Sequence, residues 1–88
     1  MASILVVDDD SQTIEHVTRL ITDAGYNADF LLEPQYLLPK LETDPSDLIL
    51  LDINMPEVDG LTLLKNIKAQ PSIRDIPIIM ITGETEEN

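Results

Sequence analysis

The stretch DLILLDINMPEVDG, residues 47–60, carries the strongest fold signal in the chain. Its apolar run at residues 48–51 is short and follows a polar segment, which is typical of a strand buried on both faces of a parallel sheet. Asp52 follows this run directly, and the residues up to Gly60 include the proline and glycine typical of a turn before a helix. The stretch therefore predicts a strand–turn–helix unit with a carboxylate at the carboxyl end of the strand.

Strand and helix signals alternate outward from this unit. Apolar runs at residues 3–7 and 77–81 predict two more buried strands, and residues 26–30 alternate as a half-exposed edge strand does. Three segments between the strands have helical spacing: residues 11–24, 34–43 and 60–70. The resulting order βαβαβαβ predicts an α/β fold with parallel strand pairing and right-handed crossovers.

Individual residues indicate where the three helices begin and end and which of their side chains face the core. Asp10 or Ser11 is expected to cap the first helix, and Gly25 stands where a left-handed residue ends it. Pro39 predicts that the second helix is kinked, shortened or late-starting, because proline lacks a backbone donor. The side chains expected to face the core are Ile14, Val17, Leu20, Ile21 and Ala24 in the first helix, Leu37, Leu38 and Leu41 in the second, and Leu61, Leu64 and Ile67 in the third.

The charge of the chain excludes several classes of function. The formal net charge is −12, from 17 acidic and 5 basic residues, which opposes binding to nucleic acid and to anionic membranes. The apolar runs are too short to span a bilayer, and cysteine is absent, so no disulfide or thiolate metal site is expected. These features predict a cytoplasmic protein, whose negative charge either serves binding to cations or basic partners or only keeps the protein soluble.

Polar residues gather at the predicted carboxyl ends of the strands. Asp8 and Asp9 follow the first strand, Asp52 follows the third, and Thr82 follows the fourth. If the first and third strands are neighbours, three carboxylates converge, and they need a cation to stay ionised together. Carboxylate oxygens favour Mg²⁺, and a carboxylate beside bound Mg²⁺ can accept a phosphoryl group. Asp52, alone at its strand end, is the candidate nucleophile.

These residues are where a family resemblance emerges. ILVVDDD at 4–10, DLILLDINMPEVDG at 47–60 and IPIIMITGE at 76–84 resemble the receiver domain of two-component response regulators. The resemblance implies a flavodoxin-like parallel sheet with helices on both faces, here four strands of order 2-1-3-4 and three helices. Residues 1–88 would then be a partial receiver domain that lacks helix 4, strand 5 with its lysine and aromatic switch residue, and helix 5.

The resemblance also implies a role for individual residues. Asp52 matches the phosphoacceptor, and Thr82 matches the hydroxyl that bonds the phosphoryl group and acts as a switch. Asp9 matches the direct Mg²⁺ ligand, Asp8 matches the acid that acts mainly through a bound water, and Asn54 would offer its backbone carbonyl to the metal. The implied donor is a sensor histidine kinase or a histidine phosphotransfer protein. Such a module is a signalling phosphoacceptor, and at most catalyses its own phosphorylation and dephosphorylation.

Two alternatives and one consequence accompany this interpretation. A haloacid dehalogenase-type hydrolase would need a second aspartate where Asn54 stands. A receiver-derived fragment could instead act as an interaction module without phosphotransfer. Without a fifth strand, the edge of the fourth strand from Pro77 to Ile81 is open and apolar, which predicts self-association. The lysines at positions 40, 65 and 68 lie on helices and are not expected to replace the family's lysine.

Overall fold

The computed structural model of the protein describes residues 2–52 and 59–81. Within these residues, strands and helices alternate as the sequence predicts. The elements are β1 (Ser3–Val7), α1 (Ser11–Asp23), β2 (Asn27–Leu31), a single 3₁₀ turn (Pro34–Tyr36), α2 (Leu37–Thr43), β3 (Leu48–Asp52), α3 (Gly60–Lys68) and β4 (Ile78–Ile81).

All four strands belong to one parallel sheet of order β2-β1-β3-β4. Val7, the last residue of β1, is paired with Leu31 of β2 on one side and with Leu51 of β3 on the other. The order confirms the predicted arrangement 2-1-3-4 and makes β1 and β3 direct neighbours. Their carboxyl ends, and the acids that occupy them, therefore lie next to each other.

Helices pack on both faces of the sheet, as predicted. Alternate strand residues point to opposite faces, so each central strand contributes to two separate apolar clusters. One cluster joins the sheet to α2, α3 and the segment after α3, through Leu5, Val7, Leu37, Leu41, Ile49, Leu51, Leu63, Ile67 and Ile73. The second joins the sheet to α1, through Ile4, Val6, Ile14 and Ile21. The first cluster is the larger, because two helices cover that face.

α1 begins and ends as its sequence predicts, with two corrections on its buried face, at Leu20 and Ala24. Asp10 is the N-cap, and Gly25 has φ 97°, a left-handed conformation that favours glycine after a helix. Ile14 and Ile21 are buried, but Leu20 is 56% exposed, so the prediction that it faces the core is wrong. Leu20 lies about 100° around the helix from Ile21, at the edge of the apolar stripe. Ala24 is also exposed.

α2 is short, as Pro39 predicts. The segment opens with the 3₁₀ turn, and Pro39 is the third residue of the following α-helix. A proline in the first turn costs little, because backbone N–H groups there have no intrahelical acceptor. Leu37 and Leu41 are fully buried and Leu38 is partly buried, so the predicted core face is confirmed.

α3 ends at Lys68, two residues earlier than predicted, and its register also differs from the prediction. Leu63 and Ile67, four residues apart, are buried together, whereas Leu61 is 54% exposed. The predicted inward orientation of Leu61 is therefore wrong. Ile73, in the turn segment that follows the helix, is buried instead. The Lys68 ammonium donates to the Arg74 carbonyl oxygen at 2.9 Å, which holds this segment against the end of the helix.

The amino ends of β1 and β3 are joined by hydrogen bonds in both directions. The backbone N–H of Ser3 donates to Oδ2 of Asp47 at 2.8 Å, and the N–H of Asp47 donates to the carbonyl oxygen of Ser3 at 2.9 Å. This link fixes the register of the two central strands at the end of the sheet opposite to the acidic residues.

Candidate functional site

Three carboxylates converge at the carboxyl ends of β1 and β3. Asp52 is the last residue of β3, and Asp8 and Asp9 directly follow β1. One oxygen from each of Asp8, Asp9 and Asp52 lies within 4.8 Å of the others. Asp8 is 3% exposed and Asp52 is 5% exposed, whereas Asp9 is open to solvent. The structure thus brings together the three acids that the sequence predicts as metal ligands.

Backbone hydrogen bonds hold Asp8 in this position. Its N–H donates to the carbonyl oxygen of Leu31 at 3.1 Å, which continues the ladder between β1 and β2 past the end of the strand. Its carboxylate oxygen Oδ1 accepts from the backbone N–H of Asp10 at 3.0 Å. Both the backbone and the side chain of Asp8 are therefore anchored before any ligand binds.

The pKa of Asp8 is raised from 3.8 to about 6, and burial is the largest cause. Within this net shift, the N–H of Asp10 lowers the pKa, and the Asp52 carboxylate raises it, both through its charge and through a hydrogen bond between the two side chains. Asp9 adds a smaller repulsion. Above about pH 6 this end of the sheet therefore holds concentrated negative charge in a largely buried position.

The donor set fits a hard divalent cation. All three candidate ligands are carboxylates, and the exposed position of Asp9 leaves one side of the cluster open to solvent. Mg²⁺ is commonly bound by one or two carboxylates and keeps several waters, so a partly open acidic cluster suits it. The buried, mutually repelling pair of Asp8 and Asp52 is the observation that most favours a cation, because such a pair destabilises the fold unless its charge is compensated.

Two of the described lysines are already engaged elsewhere. Lys40 bonds Asp29 of β2 at 2.8 Å and lies 3.8 Å from Asp44, and Lys68 bonds the Arg74 carbonyl. Lys65 is exposed on α3. The expectation that helix lysines do not replace the family's lysine stays a prediction.

Two predicted site residues, Asn54 and Thr82, lie outside the described residues. Residues 53–58 as a whole lie outside them, and the description resumes at Asp59, the N-cap of α3. The proposed metal contact of the Asn54 carbonyl and the switch role of Thr82 therefore stay predictions.

One hydrogen-bonded pair of side chains near the site, Thr13 and Asp10, was not predicted. The hydroxyl of Thr13 donates to Oδ2 of Asp10 at 2.7 Å, and Oδ1 of Asp10 accepts from the backbone N–H of Gln12 at 3.3 Å. The sequence predicted a cap at Asp10 or Ser11 but not a partner for its side chain. A threonine three residues after a capping aspartate is the signal that could have identified it.

A parallel sheet of order 2-1-3-4 with acids at the ends of its two central strands defines a class, the receiver domains of response regulators. Residues 4–88 match the family model of the response regulator receiver domain, and the chain belongs to that family. Receiver domains are signalling modules that interact with sensor kinases or phosphotransfer proteins, and they bind Mg²⁺ at an acidic pocket. Membership in the family thus supports a phosphoacceptor role.

Particular relatives come from several kinds of regulator. The chain is 39% identical over 87 residues to chemotaxis protein CheY-3 of Vibrio cholerae, and the match covers 94% of this chain and 65% of that protein. It is 36% identical over 84 residues to the transcriptional regulatory protein BaeR of Escherichia coli, and this match covers 96% of this chain and 34% of that protein. The chain thus spans less than two thirds of the length of these curated relatives.

The solved structures agree with the sequence relatives. The N-terminal domain of a response regulator receiver protein from Methanoculleus marisnigri JR1 superposes with a TM-score of 0.89 at 34% identity, and the match covers 99% of this chain and 71% of that one. Chemotaxis response regulator CheY4 of Vibrio cholerae gives a TM-score of 0.86 at 32% identity, and the match covers 98% of this chain and 72% of that one.

Among the described residues, no helix is long and apolar enough to cross a membrane.

Proposed function

We propose that this chain is the phosphoacceptor module of a two-component phosphorelay, and that Asp52 receives the phosphoryl group. The donor is a phosphohistidine of a sensor histidine kinase or of a histidine phosphotransfer protein. The position of Asp52 carries the proposal. It is buried at the carboxyl end of β3, and it shares a cluster with Asp8 and Asp9 in a chain of the receiver family.

The reaction is a transfer of one phosphoryl group. A carboxylate oxygen of Asp52 forms a bond to phosphorus while the phosphorus–nitrogen bond of the phosphohistidine breaks, and the imidazole nitrogen keeps the electron pair. The β3 backbone fixes the attacking carboxylate, and its burial limits the water that would otherwise compete for phosphorus. Asp8 and Asp9 raise the negative charge beside Asp52, which makes the site selective for a cation-bound phosphoryl group.

The residues present can hold Mg²⁺. Asp9, Asp52 and the backbone carbonyl of Asn54 would hold it directly, and Asp8 would act mainly through a bound water. When bound, Mg²⁺ would neutralise charge on the phosphoryl oxygens. Thr82 would donate a hydrogen bond to a phosphoryl oxygen, and the added charge at Asp52 would bias a two-state switch through that hydroxyl.

Residues 1–88 supply the acidic part of this site. The family's helix 4, strand 5 with its lysine, and helix 5 have no counterpart among these 88 residues. Transfer to residues 1–88 alone should therefore be slower than transfer to a receiver that includes that lysine, because a cationic contact to the phosphoryl group is missing.

The acidic composition and the absence of cysteine suit a cytoplasmic protein that does not bind nucleic acid.

A mass measurement tests the phosphoacceptor role. The protein is incubated with acetyl phosphate and Mg²⁺, and intact mass spectrometry detects a phosphate adduct, with Asp52→Asn as the matched control. The expected result is an adduct in the wild type that is absent from the variant. An adduct that persists in Asp52→Asn would refute the assignment of Asp52. Mg²⁺ binding without any adduct would instead indicate an interaction module that lacks phosphotransfer competence.

The proposal includes self-association along β4. This strand is the last in the sheet order, so one side of its backbone has no partner strand among the described residues. Ile79, at its centre, is 51% exposed on the same face as α1. An open apolar edge is commonly covered by pairing with another chain, and a second copy of this chain is the simplest candidate.

A further inference from the structure

Asp10 has its hydrogen-bonding groups divided between the acidic cluster and the start of α1. Its backbone N–H donates to Oδ1 of Asp8 at 3.0 Å. Its carbonyl oxygen accepts from the N–H of Ile14 at 3.1 Å, and its two carboxylate oxygens accept from Gln12 and Thr13. One of these bonds therefore points toward the site and three point toward the first turn of α1.

The carboxylate of Asp10 is not part of the cluster of three ligands, although Asp10 directly follows Asp9. Its two oxygens accept from the Gln12 N–H and the Thr13 hydroxyl, so the carboxylate is held against the start of the helix. The third aspartate of the run DDD thus has a different task from the first two. It fixes the backbone on which Asp8 depends.

We infer that Asp10 and Thr13 are positioning residues for the acidic cluster, and that they orient the Asp8 carboxylate through the Asp10 backbone N–H. The inference rests on the proposed function only for the identity of the ion. The N–H bonds Oδ1 and thereby restrains rotation of the carboxylate that Asp8 contributes to the cluster. Groups that orient metal-binding carboxylates commonly change metal affinity when they are removed.

The chain contains a matched control for this arrangement. Asp59 caps α3 in the same way: its Oδ1 accepts from the N–H of Leu61 at 3.0 Å, and its Oδ2 accepts from the hydroxyl of Thr62 at 3.0 Å. Asp59 is not a member of the three-carboxylate cluster. Removing the Thr62 hydroxyl therefore removes an equivalent cap bond without affecting the residue that orients Asp8.

The experiment compares Thr13→Val with Thr62→Val, two substitutions that remove one hydroxyl at almost constant volume. Calorimetric titration with MgCl₂ should show binding weakened by roughly 3- to 10-fold in Thr13→Val, the low end for loss of an orienting group, because Asp10 keeps its other bonds. Thr62→Val should bind Mg²⁺ as the wild type does, and Thr13→Ser, which keeps the hydroxyl, should restore affinity. Equal affinities in the two valine variants would overturn the inference.

A second measurement needs no metal. Hydrogen exchange of the Asp10 amide in the metal-free protein should be faster in Thr13→Val than in the wild type, and unchanged in Thr62→Val and Thr13→Ser. Unchanged exchange in Thr13→Val would overturn the inference. If the wild type binds no Mg²⁺, the metal part of the proposed function fails, and the amide measurement alone still decides whether Thr13 positions the Asp10 N–H.

Discussion

Asp8 and Asp52 lie side by side at the carboxyl ends of two neighbouring parallel strands, with both side chains almost completely buried. The pKa of Asp8 is raised to about 6, chiefly by burial and in smaller part by the charge of Asp52. At neutral pH the metal-free fold therefore contains two buried carboxylates that repel each other. This repulsion costs stability, and it is the same property that gives the site its affinity for a cation.

Asp8→Asn should stabilise the metal-free protein while weakening its metal binding. Asparagine has the same shape, and its oxygen can still accept from the Asp10 N–H, but it carries no charge beside Asp52. At about pH 8 we expect a gain of roughly 2 kcal/mol in the free energy of unfolding and a rise of roughly 10 °C in Tm. Mg²⁺ binding should weaken by roughly 10-fold or more. Urea denaturation and calorimetry measure both effects.

The control is Asp75→Asn, which makes the same change of charge at an exposed position in the segment after α3. A similar gain in stability from Asp75→Asn would show that the effect of Asp8→Asn comes from reduced net charge rather than from the buried pair.

The effect of Asp8 should depend on pH with a defined sign. Its pKa in the folded state, about 6, is above the ordinary value of 3.8. The contribution of Asp8 to stability is therefore fully present below pH 3.8 and is lost as the pH rises through about 6. Asp8→Asn and the wild type should have similar unfolding free energies near about pH 4 and should diverge by roughly 2 kcal/mol by about pH 8. A difference that stays constant across this range would contradict the raised pKa.

Lys40→Met should remove a contact that joins α2 to β2. The Lys40 ammonium lies 2.8 Å from Oδ2 of Asp29, and their hydrogen bond is the main cause of the lowered pKa of Asp29. Because the Asp29 side chain is 45% exposed, we expect a loss of only about 0.5–1 kcal/mol. This contribution is present above pH 3.8 and is lost as the pH falls through the lowered pKa of Asp29. Urea denaturation at neutral and acidic pH measures it.

Lys65→Met is the matched control for this ion pair, because Lys65 is an exposed lysine on α3. If both methionine variants lose the same stability at neutral pH, the contact between Lys40 and Asp29 contributes nothing measurable.

The register of α3 can be tested with two identical substitutions. Leu63 is 8% exposed and packs in the larger apolar cluster, whereas Leu61, two residues earlier, is mostly exposed. Leu63→Ala should cost about 2–4 kcal/mol, through lost burial and the cavity left behind. Leu61→Ala should change stability by no more than about 0.5 kcal/mol. Thermal denaturation compares them, and a larger loss for Leu61→Ala would mean that the opposite face of α3 is buried.

Ile79→Lys should prevent self-association along β4. A charged side chain at the centre of an open strand edge opposes pairing with another chain. Light scattering across a concentration series should show association in the wild type and a monomer in the variant. Leu61→Lys, which introduces the same side chain at a similarly exposed position of α3, should leave association unchanged. A wild type that stays monomeric at high concentration would sink this proposal.

The two central strands were predictable because their apolar runs end abruptly at acids, as residues 48–51 do before Asp52. The adjacency of Asp8 and Asp52 was not available from periodicity, since it depends on strand order, which the family resemblance supplied. Leu61 was misplaced because three leucines within four residues of α3 fit more than one helical face. Ile73 could not be predicted, because it lies in a non-periodic turn and its burial depends on packing against distant strands.

The hydrogen bonds between Ser3 and Asp47 have a consequence for how the central strands open. At the amino end of the β1–β3 pair, Ser3 and Asp47 each donate a hydrogen bond to the other. At the carboxyl end, three carboxylates of like charge lie close together. Local unfolding should therefore begin at the acidic end and proceed toward Ser3, since opening the acidic end relieves the repulsion between its carboxylates. A cation that binds there would suppress this fraying, so the ligand would stabilise the end of the central strand pair at which opening begins.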